Sequence, residues 1–593
     1  MNILGISPLS SSNPASALLK DGKLVAFAEE ERFNRVKHSP SHFPFLSAYY
    51  CLKEAGLNKG DIDYDVGLVA GLKLGKHFGV FSEGRSLSYY VAIGGESHHQ
   101  ILSELIELKD FKRFMSAQYD DNDEAVINNE SLFRYLPYDR DASYNDHLTY
   151  QYAGRFFDVN SNKIGWLSHH LSHVASTCIP SNFSSCNFMS FDGVGGALSG
   201  MIGFFDGKDF EIYDKFFINE SFGAYYSAVT ETLGFHRHGG EGKTMGLASY
   251  GNVNQATLPF YAKRLGTFNE FKLDAIKYNK WAKSSYLPSP TDDTILTSAY
   301  VDRAATCQHY FEKIIIDYAR HLHKRTGNKN FAVAGGSFLN CSANGKLLEQ
   351  DFVDNLFIQP ASHDAGVALG AAILTHHLHK GEFPEADFST AYWGSSFEEH
   401  EVLSTLQDFP NVTYENINPA ETIPELLYED KIIGYMAGKA EVGPRALCHR
   451  SILANPTNKD NLNRVNKIKG REFWRPLAPT MTEESLHDIV HIKHVSPFML
   501  MAAQVKNEWK EKIPAVVHVD GSCRPQSVNS SQNPVIHKAL LNFEKKSGVP
   551  VFLNTSFNLD GEPLVDSPND ALKTFLNSSL DVLIIENILI KRK

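Results

Sequence analysis

The segment SHHLSHVAS places His169 and His173 four residues apart. If it is helical, both imidazoles project from one face, a spacing that suits two nitrogen ligands on one divalent metal, and His170 points elsewhere. A lone HxxxH pair is more often structural, so an oxygen ligand has to be found. Asp364, at the mouth of the small-residue run AGVALGAAIL, is the candidate, with a plain helix N-cap as its alternative. Two imidazoles and a carboxylate leave open positions for a ligand phosphate or carbonyl.

A second constellation lies in EVGPRALCHRSILANP and VNKIKGREFWRPLAP, which carry Arg445, Arg450, Lys469, Arg471 and Arg475. Arginine's planar fork suits bidentate phosphate binding and lysine adds a point charge. A triphosphate together with an acyl-type phosphate would fit such a pocket; a surface ion-pair network is the alternative. A third stretch, AEEERFNRVKH, contains Glu30, Arg32, Lys37 and His38 and reads, on its own, as a charged and exposed segment.

The elements that must position these groups repeat once. Asn2–Ser7 reads as a strand, and SALLK, Asp21-Gly22 and KLVAFA as a hairpin with a type I′ turn. A helix over Phe43–Ala55 and a strand near Val66–Ala70 follow. The second copy runs through Asn187–Phe191, a DGVGG loop, MIGFF, Asp206-Gly207 and KDFEIYDK. Two such lobes are the plan of actin-like and sugar-kinase-like ATPases. FAVAGGSFLN reads as a strand, Phe331–Ala334, turning through Gly335-Gly336 into a helix, where backbone amides can meet an anion. NLFIQPASHDAGVALGAAIL reads as a strand to Gln359, a loop and a helix from Asp364. Residues 72–160 are polar and irregular and read as an insertion. A break near 376–395 separates this half from a basic α/β half.

The chain has 593 residues, 42% of them hydrophobic and 21% charged, enough for two domains with their own cores. A formal net charge of −12 disfavours non-specific binding to nucleic acid or anionic membranes. The start MNILGISPLSSS has no signal-peptide pattern, and no apolar run approaches the length of a membrane helix. The seven cysteines are scattered without a CxxC pair, which argues against a disulfide framework or a thiolate zinc site. The expectation is a reduced, soluble, cytoplasmic protein.

Taken in order, ILGIS, EEERFNRVKH, HHLSHVAS, FDGVGG, LGFHRHGGEGKTMGLASYG, AGGSFLNCSANGKLL, HDAGVALGAA, EVGPRALCHRSILANP, REFWRPLAP and LNTSFNLDGEPLVDSP resemble the nodulation- and cephem-type O-carbamoyltransferase family across nearly the whole chain. The resemblance implies an α/β protein with a duplicated actin-like (ASKHA) domain over residues 1–380 and a YrdC-like, adenylate-forming domain over 395–593. It implies that ATP, with Mg2+, and carbamoyl phosphate give carbamoyl adenylate at the C-terminal site. Arg445, Arg450, Lys469, Arg471, Arg475, Arg524 and Ser527 match the positions that would bind the phosphates there. His169, His173 and Asp364 match the metal ligands, with Fe2+ as the metal. Asp192, Gly335, Gly336 and Asn340 match nucleotide- or metal-adjacent positions, and Lys37 and His38 match a basic pair near the acceptor. The acceptor is a hydroxylated small molecule, and a homodimer is what the family suggests.

One departure stands out. Many members carry a His-Asp pair in the loop after the first strand, where Ser12-Asn13 stand here, so another group, such as His38, has to take the acceptor's proton. A smaller one is His363, which precedes Asp364 where the family has a small residue. A non-catalytic ATP- or carbamoyl phosphate-binding sensor and a tRNA threonylcarbamoylation enzyme are the alternative readings, with a plain actin-like ATPase or sugar kinase behind them.

Overall fold

A computed structural model describes residues 1–7, 13–40, 44–58, 64–70, 164–195, 198–217, 220–237, 239–254 and 281–593. The insertion expected over 72–160, Ser12 and Phe43 lie outside the described residues.

The duplication read from the sequence is present as two five-stranded sheets of the same topology. The first is ordered Lys23–Glu29, Ala15–Lys20, Asn2–Ser7, Tyr64–Ala70, Ile164–Ser168. The second is ordered Phe210–Phe217, Leu198–Phe205, Cys186–Gly195, Asn330–Ala334, Asn355–Ile358. In each, three antiparallel strands continue into two parallel ones. The first hairpin turns as expected: Asp21 and Gly22 both have positive φ, 51° and 75°, as a type I′ turn needs. In the second hairpin the Asp206 carboxylate instead accepts from the amides of Lys208 and Asp209, both at 2.8 Å, and only Gly207 turns left-handed. The longer loop follows from that aspartate's side-chain turn.

The helix Gly366–Lys380 packs between the first sheet and the helix His169–Cys178, and its small residues explain how closely. A Cβ on Gly5 would fall 1.9 Å from the carbonyl oxygen of Ala368, and one on Gly370 would fall 1.7 Å from that of Ser172. Strand and helices therefore touch backbone to backbone, with Ala365, Ala368, Ala371 and Ala372 wholly buried between them.

The eight-stranded mixed sheet takes all its strands from residues 412–592, whereas the two five-stranded sheets use 2–358. Ile433–Met436, Arg450–Ala454, Val551–Ser556, Ala478–Thr482 and Gln526–Val528 lie side by side in it. Helices Pro419–Tyr428 and Pro534–Ser547 cover one face through Ile423, Leu427, Leu540 and Phe543. Among the described residues no helix is long and apolar enough to cross a membrane.

The segment Glu29–Arg32 departs from its reading as an exposed charged run. Glu29, Glu30, Glu31 and Arg32 are all 5% exposed or less. Glu30 caps the helix Phe45–Glu54 by accepting from the amides of Leu46 and Ser47. Glu29 and Arg32 bond to Gly443 in the loop Glu441–Arg445, and Glu31 pairs with Arg32. Charge in a local sequence says nothing about a partner four hundred residues away.

Candidate functional site

The helix His169–Cys178 begins where Ser168 caps it, accepting from the amide of Leu171. This puts His169 and His173 on one face, as the spacing predicts. Their Nε2 atoms are 3.1 Å apart. His170 points away, its Nδ1 3.0 Å from the hydroxyl of Ser190. Asp364 is not the N-cap of the following helix; Ala365 holds that position and makes no side-chain cap. The Asp364 carboxylate instead lies 3.7 Å from His169 Nε2.

Asp192 completes the cluster more intimately than its expected place beside the metal or nucleotide. Its Oδ2 is 3.2 Å from His173 Nε2 and 3.5 Å from His169 Nε2. One ligand atom from each of His169, His173, Asp192 and Asp364 falls within 4.8 Å of the others. Two ligands about 2.1 Å from a common ion would themselves stand roughly 3.0–3.5 Å apart, so the spacings fit a bound divalent cation. The mixed nitrogen–oxygen set suits iron, zinc or manganese.

The electrostatics point the same way. Burial and the neighbouring Asp192 raise the carboxyl of Asp364. Asp192 is held well below the usual carboxylate range, because its bonds to His169 and His173 outweigh burial. Against burial, the same bond and then Asp364 raise His169, whereas burial lowers His173 despite Asp192. Two half-buried carboxylates beside two buried imidazoles are a site that a cation relieves.

Glycines make room for this cluster. A Cβ on Gly195, the fourth residue of DGVGG, would lie 2.2 Å from His169 Cδ2. A Cβ on Gly336 would lie 3.0 Å from Asp192 Oδ1. Gly335 needs its positive φ of 96° and lies against the Phe191 carbonyl. A short 3-10 turn, Gly336–Leu339, then precedes the helix Cys341–Leu348. Asn340 caps that helix by accepting from Ala343 and exchanges hydrogen bonds with Gln308, so its carboxamide is used within the chain.

The basic residues divide into two groups. Burial, then Arg524 and Arg475, push the Arg445 guanidinium down to about 9; burial, then Arg475 and Arg524, do the same to Arg471. Burial and Arg524 also lower Arg475, against the pull of Glu472. The four therefore crowd one cleft. Nε of Arg445 and of Arg524 is buried without a hydrogen-bond partner. Arg471 reaches Thr555 Oγ1 at 3.4 Å, and Arg445 donates to the Leu339 carbonyl at 3.1 Å. Crowded guanidiniums with spare donors are a site for a polyanion.

Arg450, Lys469 and Ser527 behave differently. Arg450 is fully buried and donates to five backbone carbonyls, of Ala437, Gly438, His449, Ser395 and Asp566. It has no face left for a phosphate, a correction to the sequence reading. Lys469, 1% exposed, donates to both oxygens of Asn558 at 2.8 and 2.9 Å and to Ser556. Burial, then Arg471, Lys37 and Arg475, hold its ammonium well below the ordinary lysine range. Ser527 is 1% exposed and accepts from the amide of Ser496, tying the strand Gln526–Val528 to the loop at Ser496.

Lys37 and His38 lie at the edge of this region. Lys37 is 4.0 Å from Glu31, and burial, Arg32 and Arg471 lower its ammonium against the pull of Glu31. Asn13 donates to His38 Nδ1 at 3.1 Å. A neutral ring that accepts at Nδ1 carries its proton on Nε2. In that tautomer His38 would present a donor at Nε2. Burial, Lys37 and His363 lower it against Glu31. His363 Nε2 in turn lies 3.5 Å from Glu29.

Comparison with known proteins gives two family matches: Carbamoyltransferase N-terminus over residues 2–373 and Carbamoyltransferase C-terminus over residues 424–592. The chain is 30% identical to the nodulation protein NolNO of Sinorhizobium fredii, across 98% of this chain and 79% of that one. It is 31% identical to an uncharacterized protein of Synechocystis, across 100% of this chain and 97% of that one. Among solved structures, component A of the (R)-2-hydroxyglutaryl-CoA dehydratase of Acidaminococcus fermentans superimposes with a TM-score of 0.30 at 15% identity, covering 63% of this chain and 96% of that one. That superposition is too slight to say what this chain does.

Proposed function

We propose that this chain, which belongs to the carbamoyltransferase family, passes a carbamoyl group to a hydroxyl of a small molecule after activating carbamoyl phosphate with ATP. The observation that carries the ATP-dependent half is the cleft of Arg445, Arg471, Arg475 and Arg524, more crowded positive charge than a fold keeps without a polyanionic ligand. In this reading residues 395–593 form the YrdC-like unit, and ATP and carbamoyl phosphate meet in the cleft: water takes the phosphoryl group of carbamoyl phosphate, releasing phosphate, and the carbamate oxygen so freed attacks the α-phosphorus of ATP, expelling pyrophosphate and leaving carbamoyl adenylate. Arg471 and Arg475 neutralise the phosphates.

The adenylate then passes to the actin-like half without leaving the protein. Arg445 marks the path, since its partner Leu339 belongs to the turn that starts at Gly336 beside Asp192. His169, His173 and Asp364 with Asp192 would hold a divalent cation, Fe2+ by resemblance, and when bound it would supply positive charge where the leaving AMP phosphate gathers negative charge. His38 donates from Nε2 toward the carbamoyl oxygen, oriented by Asn13. Lys37, its ammonium destabilised by burial, takes the hydroxyl proton as the oxygen attacks.

The test is incubation of the full chain with ATP, labelled carbamoyl phosphate and a panel of hydroxylated natural products. Carbamoyl phosphate-dependent pyrophosphate release and a carbamoylated product by mass are expected. ATP binding without pyrophosphate release would make the protein a sensor instead.

A further inference from the structure

The buried segment Glu29–Arg32 does more than fill space. Arg32 Nη1 donates to Glu31 Oε1 at 2.6 Å, and Nη2 donates to Glu29 Oε1 at 3.1 Å and to the carbonyl of Gly443 at 2.9 Å. Glu29 Oε1 also accepts from the amide of Gly443 at 2.7 Å, so one residue pair grips both polar atoms of that peptide position. Gly443 has a φ of 91°, and a Cβ there would lie 2.4 Å from the carbonyl of Pro360. The loop it belongs to therefore rests on the turn leading to Asp364 and carries Arg445 two residues later.

Each carboxylate has a second duty. Glu31 Oε2 accepts from the amide of His38 at 2.6 Å, which fixes the left-handed backbone of that residue, φ 61°. Glu29 Oε2 faces His363, the neighbour of Asp364, at 3.5 Å. Three moving parts of the proposed reaction thus converge on one guanidinium: the Lys37–His38 loop, the His363–Asp364 turn and the Gly443–Arg445 loop. All the charged groups in the knot are 5% exposed or less, so the knot costs desolvation that only its bonds offset. A core of apolar residues would have joined the two halves more cheaply; ions with this geometry fix register.

We propose that Arg32 is a positioning residue that locks the amino-terminal transfer site in register with the carboxy-terminal arginine cleft, so that the activated carbamoyl group crosses between them sheltered from water. The inference rests on the two-site reading above. Without Arg32 the loop holding Arg445 and the loop holding His38 lose their common anchor, while Arg471 and Arg475, which neutralise the phosphates, lie outside both loops and stay in place. The anhydride is still made and escapes before it is used.

The experiment compares the full-length protein with Arg32→Met and with the isosteric Glu31→Gln, in ATP, carbamoyl phosphate and hydroxylamine. Hydroxylamine nitrogen attacks the carbamoyl carbon of escaped adenylate, AMP departs, and hydroxyurea forms with loss of a proton to solvent. Pyrophosphate release and ATP-dependent hydroxyurea are both measured, the ATP-free background being subtracted. Pyrophosphate release within about twofold of the unaltered protein, with the trapped share of anhydride raised at least about fivefold, is expected for Arg32→Met, and a smaller rise for Glu31→Gln. An unchanged trapped share in folded Arg32→Met overturns the proposal, as does loss of pyrophosphate release in step with trapping. If Arg32→Met does not fold, Glu31→Gln decides by the same two numbers. No pyrophosphate from the unaltered protein would fail the two-site reading itself and is thereby distinguished.

Discussion

Arg445 donates to the carbonyl of Leu339 across 3.1 Å, and three residues before Leu339 stands Gly336, against the carboxylate of Asp192. One short turn thus has the basic cleft at one end and the imidazole–carboxylate cluster at the other. The turn that Gly335-Gly336 opens, read from the sequence as a place where amides can meet an anion, is the strip of backbone shared by both candidate sites.

The cleft's first prediction concerns Arg471. Its neighbours are other guanidiniums, and its one protein acceptor, Thr555 Oγ1, is distant at 3.4 Å. Its strongest partner should therefore be a ligand oxygen. A charge-assisted bond to a phosphate contributes about 1.5–3 kcal/mol, so Arg471→Ala should slow carbamoyl phosphate-dependent pyrophosphate release by roughly 10- to 100-fold. The melting temperature should hold or rise, because removing one of four mutually repelling cations relieves the free protein. Full activity in a steady-state pyrophosphate assay removes Arg471 from the site.

Acid should weaken the fold through two buried imidazoles. Burial, with His169 and His173, pushes His170 well below its ordinary 6.5, and burial, with Arg450, lowers His449. Between the folded and unfolded values the unfolded chain binds protons the fold refuses. The contribution is complete above pH 6.5 and is lost as the pH falls through the folded value, at up to about 1.4 kcal/mol per pH unit for each group. Glu31, held down to about 2 by Arg32 and Lys37 in spite of burial, adds its own loss below pH 4.5. Urea midpoints at pH 7.0 and 5.5 should differ, and His449→Gln should narrow the gap. Equal gaps would show that His449 does not titrate with unfolding.

Where sequence reading succeeded, the signal was local. A helix puts residues four apart on one face whatever surrounds it, so His169 and His173 were legible, and Asp21-Gly22 fixed its turn unaided. Where it failed, the deciding partner was distant. Arg450 looks like Arg445, five residues earlier, yet one points into a cleft and the other is closed in by carbonyls as far off as Ser395 and Asp566. Arg32 sits in a run of charges that would be solvated on any isolated segment; only Gly443 shows why it is buried. The part played by Gly195 was equally hidden, since a glycine's reason is the atom it avoids.

Arg450 offers a contrast to Arg471. Five carbonyls use its donors in a space with no solvent, so Arg450→Lys retains the charge but can reach only some of the acceptors. Carbonyls left unpaired in the interior cost about 1–3 kcal/mol apiece. The expected outcome is a loss of about 3–5 kcal/mol by denaturant unfolding, with the Michaelis constant for ATP little changed in whatever protein remains folded. A variant of ordinary stability that binds ATP poorly would return Arg450 to the phosphate site.

The last prediction separates the metal from its ligands. Gly195→Ala leaves His169, His173, Asp192 and Asp364 untouched but places a methyl 2.2 Å from His169 Cδ2. That imidazole stands on the first residue of its helix and is enclosed by His173, Asp192 and Asp364, so the ring can yield only by turning away from the other ligands. Metal affinity should fall by at least about 10-fold, against 100-fold or more for His173→Ala, which deletes a ligand outright. The measurement is competition for Fe2+ or Zn2+ against a chelator of known strength, followed by metal analysis of the purified chain. Unaltered affinity in Gly195→Ala would mean that His169 binds no ion where it stands, and the cluster would then be a buried hydrogen-bond network that happens to resemble a metal site.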